Sequence, residues 1–305
     1  MSETAGPDTA ATATANPARL GVRKTYKLYI GGAFPRSESG RSYPVRRPDG
    51  TLLAYAAHAS RKDARDAVVA ARKAFGGWSG ATAYNRGQIL YRVAEMLEGR
   101  AAQFAAEVAA ADSSVNSASG AADPRAEVAA AIDRWVWYAG WSDKVAQVAG
   151  ATNPVAGPYF NFSLPEPTGV VAVIAPAEPS LLGLVSVIAP VIVTGNTAVV
   201  VASEDHPLPA ISLAEVLATS DLPAGVVNVL TGRTAELSPV LAGHMDVNAI
   251  DLTGAGAPAR PALQQLAAAN VKRVFYRNEP WQATPGTQRL LSFLEIKTVW
   301  HPAGT

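Results

Sequence analysis

Two glycines stand where a chain of this kind could hold a nucleotide. GVVNVLTG (225–232) and VNAIDLTGA (247–255) are apolar runs in which Gly232 and Gly254 close a strand just before a helical pattern begins. In an open parallel sheet, ligands settle outside the carboxyl ends of the strands, and a helix start offers backbone N–H groups to an anion. The same glycines suit any tight strand-to-helix turn, so nucleotide binding and a plain turn both stay open on pattern. No G-x-G-x-x-G fingerprint and no Walker loop occurs. The residues for covalent chemistry are as telling. The chain has no cysteine, which excludes disulfides, thiolate metal sites and a thiolate nucleophile. Its four histidines, His58, His206, His244 and His301, lie far apart without metal-ligand spacing and read as surface or capping residues.

The elements that position these residues follow from the hydrophobic pattern. From 169 onward, Val/Ile/Leu runs alternate with helical segments. Strands are expected at 169–176, 196–203, 225–232, 247–255 and 271–277, with helices up to 194 and at 209–221, 233–244 and 258–270. Continuous apolar strands between helices imply a parallel sheet covered on both faces. Before it, KLYIGG, RSYPVRRPDG and LLAYAAH read as short strands, and helices are expected at 60–75, 85–100, 100–112 and, as one long helix, 124–150. PYFNFSLPEPTG (158–169) reads as extended. The fold class is therefore α/β, a Rossmann-like parallel sheet of about five strands with an N-terminal helical layer and a small β arm.

Hydrophobic residues make up 49% and charged residues 17% of the 305, enough for a large core and too little charge for a disordered chain. A net charge of +1 without a basic cluster argues against nucleic acid. The longest apolar run, LLGLVSVIAPVIV (181–193), is short for a bilayer span and contains Pro190. A cytoplasmic protein without membrane contact is expected, and no metal.

Several segments, taken in order, resemble the aldehyde dehydrogenase superfamily: DRWVWYAGWSDKV (133–145), EPTGVVAVIAP (166–176), GNTAVVVASE (195–204), DLPAGVVNVLTG (221–232), LTGA (252–255) and EIKTVWHP (295–302). The resemblance implies a nicotinamide-nucleotide domain, a catalytic domain carrying the cysteine nucleophile, and an oligomerisation arm built from two separated segments. After a tail (1–22) whose Ala- and Thr-rich composition reads as disordered, the chain divides into a helical and β-meander part (23–157), an arm strand (158–168), a Rossmann-like part (169–281) and a C-terminal arm (282–305). The family's catalytic domain falls between the fifth strand and the final arm. Here NVKRVFYRNEPW (270–281) runs almost directly into SFLEIKTVWHP (292–302).

Site by site, the family's oxyanion-holding Pro-Trp-Asn turn falls on Pro176, Ala177 and Glu178, its ribose lysine on Val201 and its ribose glutamate on Glu204. Its T-G-x-G turn falls on Thr231, Gly232, Arg233 and Thr234, its phosphate-contacting serine on Ala255 and its general base on Arg277. The resemblance thus implies cofactor contacts at Glu204, Gly232 and Gly254, no catalytic residue, and weak or absent NAD or NADP binding. It also implies a structural or regulatory subunit that pairs with a full-length NAD-dependent aldehyde dehydrogenase. In that family one subunit's arm adds a strand to its neighbour's catalytic sheet, and this chain keeps the arm without the acceptor. The alternatives are a stand-alone nicotinamide-nucleotide module and an active aldehyde oxidoreductase using another nucleophile.

Overall fold

The structure is a computed structural model describing residues 24–111 and 123–304. The tail expected over 1–22 and the last residue of the helix expected at 100–112 lie outside the described residues. The chain opens with a small sheet of β1 (Thr25–Tyr26), β2 (Ser42–Arg46) and β3 (Leu52–Ala57), ordered β1-β3-β2. Then come α1 (Arg61–Gly80), α2 (Ala83–Glu98), α3 (Ala101–Ala111), α4 (Pro124–Trp141) and α5 (Val145–Ala149). Helix α1 starts at a reciprocal cap: Ser60 Oγ accepts from Asp63 N at 3.3 Å, and Asp63 Oδ2 accepts from Ser60 N at 2.7 Å.

The long helix expected over 124–150 is broken. Its amides tighten at Ser142 and Lys144, which donate to the carbonyls three residues back, and α5 begins only at Val145. The cause is tertiary. Helix α2 crosses this turn at Gly87, where an added Cβ would lie 2.4 Å from Ser142 Oγ.

Two strands follow, β4 (Ala151–Asn153) and β5 (Tyr159–Pro167), and then the alternating layer. It consists of β6 (Val170–Ile174), α6 (Leu182–Val193), β7 (Thr197–Val201), α7 (Leu208–Ala218), β8 (Val227–Leu230), α8 (Thr234–Ala242), β9 (Ala249–Asp251), α9 (Arg260–Ala268) and β10 (Arg273–Phe275). The five strands form one parallel sheet ordered β10-β9-β6-β7-β8. Every residue of β6 to β9 is buried, which is why these strands read as unbroken apolar runs. Alternate side chains serve the two faces. Val170, Ala172 and Ile174 pack with Ala67 and Val68 of α1, Leu237 of α8 and Leu263 of α9. Val171 and Val173 face the other cluster, with Leu90, Trp135, Ile188 and Leu213.

Only residues 276–287 separate β10 from α10 (Gln288–Ser292) and β11 (Leu294–Pro302). This crossover is anchored rather than looped out. Arg134 Nη2 donates to the carbonyls of Trp281 at 2.6 Å and Ala283 at 3.1 Å, and Leu290 and Phe293 enter the core. Arg289 and Asp251, both fully buried, form an ion pair at the carboxyl end of β9. Strand β11 pairs antiparallel with β5, from Leu294 opposite Pro167 to Pro302 opposite Tyr159, in a sheet ordered β11-β5-β4. No described helix is long and apolar enough to cross a membrane.

Candidate functional site

The strand order reverses between β6 and β9, and the loops leaving their carboxyl ends meet there. Gly254 N donates to Ile174 O at 2.9 Å, and a Cβ at Gly254 would stand 2.0 Å from Ala175 O. Only glycine allows this backbone-to-backbone approach. Gly232, on the loop after β8, has φ +146°, and a Cβ there would crowd Ala59 N and His58 at 3.1 Å. It lets β3 dock under the turn, where Ala59 N donates to Thr231 O at 2.8 Å.

A cavity of about 560 Å³ opens on this crevice between α8 and α9. Gly254 and Glu204 line it; Gly232 does not, although its neighbour Thr234 does. Glu204 is already engaged. One carboxylate oxygen accepts from Thr234 N at 3.2 Å, capping α8, and the other pairs closely with the Arg233 guanidinium. That hydrogen bond raises Arg233 further into its charged range. Burial first, and then the Glu204 carboxylate, push the nearby Tyr43 hydroxyl above its ordinary range, so it stays protonated.

The other resemblance positions sit as follows. Val201 is buried in the apolar cluster beneath α8. Ala255 is buried in the turn, its N–H donating to Leu252 O at 2.9 Å. Arg277 is exposed and pairs with Gln288. Glu178, on the loop after β6, is exposed beside His206 at 3.6 Å. A carboxylate there would oppose a developing oxyanion. Among the described residues no cluster of three or more His, Cys, Asp or Glu could hold a metal.

The sequence model of the aldehyde dehydrogenase family matches residues 34–277, across both the helical layer and the parallel sheet. The chain belongs to the aldehyde dehydrogenase family. An aldehyde dehydrogenase of Aspergillus niger is 34% identical over 251 residues, covering 81% of this chain and 48% of that protein. The mitochondrial benzaldehyde dehydrogenase of Antirrhinum majus is 32% identical over 269 residues, covering 87% and 49%. Among solved structures, the NAD+ complex of aldehyde dehydrogenase from Bacillus cereus superposes with a TM-score of 0.74 at 27% identity, covering 83% of this chain and 50% of that one. HpcC from Thermus thermophilus gives 0.75 at 30% identity, covering 83% and 48%. The chain spans about half the length of these relatives.

In this aldehyde dehydrogenase the crevice cavity is part apolar and part acidic. Its apolar walls suit a flat ring. Its charged lining consists of Glu204 and Asp205, with no lysine, arginine or histidine to meet a diphosphate. Three features lay beyond sequence reasoning: the Arg233–Glu204 pair, the Arg289–Asp251 pair and Ser238, a buried hydroxyl lining the cavity. Only Asp251 left a trace, as a lone carboxylate inside the apolar run NAIDLTG.

Proposed function

We propose that this chain is a non-catalytic member of the aldehyde dehydrogenase family that pairs, through its β5–β11 arm, with a full-length NAD-dependent aldehyde dehydrogenase. One observation carries the reading: β10 is joined to the arm by residues 276–287 alone, so the stretch where relatives place a catalytic domain is a short crossover fixed by Arg134 and Arg289. Arg277 replaces the base, and there is no cysteine to act as nucleophile. Acyl transfer from an aldehyde needs an activated nucleophile with its base and oxyanion donors, and these residues do not supply it.

The arm supports the pairing. β11 is the nine-residue edge strand of its sheet, and Ile296 and Trp300 on it, with Tyr159, Phe160 and Leu164 on β5, are exposed apolar side chains. A long apolar edge invites another strand. Dinucleotide binding by this chain alone is weak on this reading, because the cavity meets a diphosphate with carboxylates.

The test is co-elution in size-exclusion chromatography with a full-length aldehyde dehydrogenase from the same source. Removing residues 290–305 would also take Leu290 and Phe293 out of the core, so the better perturbation is Ile296→Glu with Trp300→Glu. Co-elution of the native chain, abolished in the double variant, is expected. No complex with the full-length enzyme, or a complex indifferent to the two substitutions, would overturn the proposal.

A further inference from the structure

We propose that a second cavity, between the start of α1 and α8, binds a phosphate-rich polyanion of the diphosphate or triphosphate type. It meets a different face of α8, at Glu236 and Val240, and shares no lining residue with the crevice. Four cations line its volume of about 670 Å³: Arg41, which leads into β2, and Arg61, Lys62 and Arg65 of α1. The fold assembles this group from separate elements.

Two carboxylates share the lining, and both are engaged. Glu38 accepts from Ser60 Oγ at 2.9 Å and lies 3.9 Å from Lys62 Nζ, and Glu236 lies 3.3 Å from His58 Nε2. Among the described residues, the guanidinium groups of Arg41, Arg61 and Arg65 have neither an ion pair nor a hydrogen bond.

Helix α1 gains nothing from these cations. A helix start favours acidic side chains and disfavours basic ones. The first turn of α1 nevertheless carries Arg61 and Lys62, and its one acid, Asp63, is buried in the cap. Arg61 and Arg65 stand four positions apart on one face, a spacing at which like charges repel. Two local rules broken at one place, with no partner in the chain to offset them, point to a ligand from outside it.

The chemistry of the lining names the ligand class. Guanidinium groups pair in a fork with phosphate oxygens. Apolar contact is limited to Val240, and no Phe, Tyr or Trp offers a face to a base, so recognition rests on charge. His244 adds a donor. Burial holds its imidazole below the ordinary value, and Nδ1 accepts from Asp246 N at 3.2 Å, which leaves the ring proton on Nε2. The helix amides are not the donors: Lys62 N and Asp63 N already donate to Ser60 Oγ at 3.2 and 3.3 Å.

Calorimetric titration of the whole chain with orthophosphate, pyrophosphate and triphosphate, at about 150 mM salt, tests the proposal. One pyrophosphate per chain is expected, with affinity rising along that series. Arg61→Gln and Arg65→Gln should each weaken pyrophosphate about five- to tenfold, the loss of one charge-assisted hydrogen bond at an exposed site. Arg92→Gln, on α2 and outside the cavity, should leave it unchanged. Arg61→Glu should abolish binding yet leave the free chain at least as heat-stable, since the helix start prefers the acid. Absence of saturable pyrophosphate binding up to about 1 mM would overturn the proposal. So would binding that Arg61→Gln and Arg65→Gln weaken no more than Arg92→Gln does, the mark of diffuse ionic attraction. A lower Tm in Arg61→Glu would overturn it too, because the cations would then serve the fold.

Discussion

Replacing Arg289 by methionine tests whether a buried charge pair anchors the short crossover between β10 and the arm. The guanidinium is 1% exposed and Asp251 is 0% exposed. The Arg289 Nη1 group also donates to Thr253 Oγ1 at 3.2 Å, and the rings of Phe275 and Trp281 lie with centroids 4.7 and 5.9 Å from the guanidinium carbon. Methionine keeps much of the apolar stem but strands the Asp251 carboxylate, whose remaining bonds come from Thr253 N at 2.9 Å and Thr253 Oγ1 at 2.6 Å. Breaking a buried pair from one side costs about 3–5 kcal/mol. At about 2–4 °C per kcal/mol for a larger domain, the Tm should fall on the order of 10 °C. Tryptophan fluorescence follows urea unfolding of the whole chain, which has six tryptophans. Replacing both partners, Asp251→Leu with Arg289→Met, should cost less than Arg289→Met alone, because no fully buried charge is then left unpaired; the second partner of Arg289, Glu279 at 3.4 Å, is 22% exposed and reaches water. An unchanged urea midpoint for Arg289→Met would refute the reasoning. So would a double variant as unstable as the sum of the two single ones, since the anchoring would then be packing alone.

The purified chain should not reduce NAD or NADP with any aldehyde; turnover that tracks the chain through repurification would contradict this. Gly254→Ala should destabilise by about 1–3 kcal/mol, the cost of overpacking, because its methyl would meet Ala175 O at 2.0 Å. Gly76→Ala in α1, where a methyl meets nothing within 4 Å, should instead stabilise by about 0.5–1 kcal/mol. Urea denaturation reads both, and equal effects would discredit the close approach at the crevice. Burial pushes the Lys272 ammonium from 10.5 down to about 8. Its folded pKa lies below its unfolded one, so the unfolded chain binds the extra proton between those values and this group's contribution to stability rises with pH there. Lys272→Met should raise Tm below pH 8, and the gain should fade as pH climbs toward 10.5; a gain independent of pH would contradict the assignment.

How much was legible from sequence depended on how local the cause was. β6 and β7 were readable because burial on both faces demands continuous Val and Ile, a pattern confined to each strand. The interruption at Ser142 was not, because it answers to Gly87 on another helix. Nothing in QRLLSF marks Arg289 as buried; its burial depends on Asp251, 38 positions earlier, being brought beneath it by the sheet. Glu204 could be placed at the crevice only by resemblance, since nothing in VASED tells a ligand-facing carboxylate from a helix cap. Its partners, Arg233 and Thr234 N, are set by the neighbouring strand. Ser238 is one of many serines in the sequence, and only the packing of α8 against α9 isolates its hydroxyl.

The pairing of β11 with β5 also fixes an order of events during synthesis. The paired residues are separated by 127 positions at Leu294–Pro167 and by 143 at Pro302–Tyr159, whereas β6 meets β7 across a single helix. At roughly 5–20 residues per second, β5 leaves the ribosome ~6 to ~30 s before its partner strand exists. In that interval the parallel layer can collapse through its shorter-range contacts, while β5 has only the three-residue β4 beside it. The nascent chain thus holds an open strand edge, with Tyr159, Phe160 and Leu164 alongside, for longer than any strand of the parallel layer waits for its neighbour. Closure of the arm is therefore a late step, open to competition from a chaperone or from a neighbouring nascent chain.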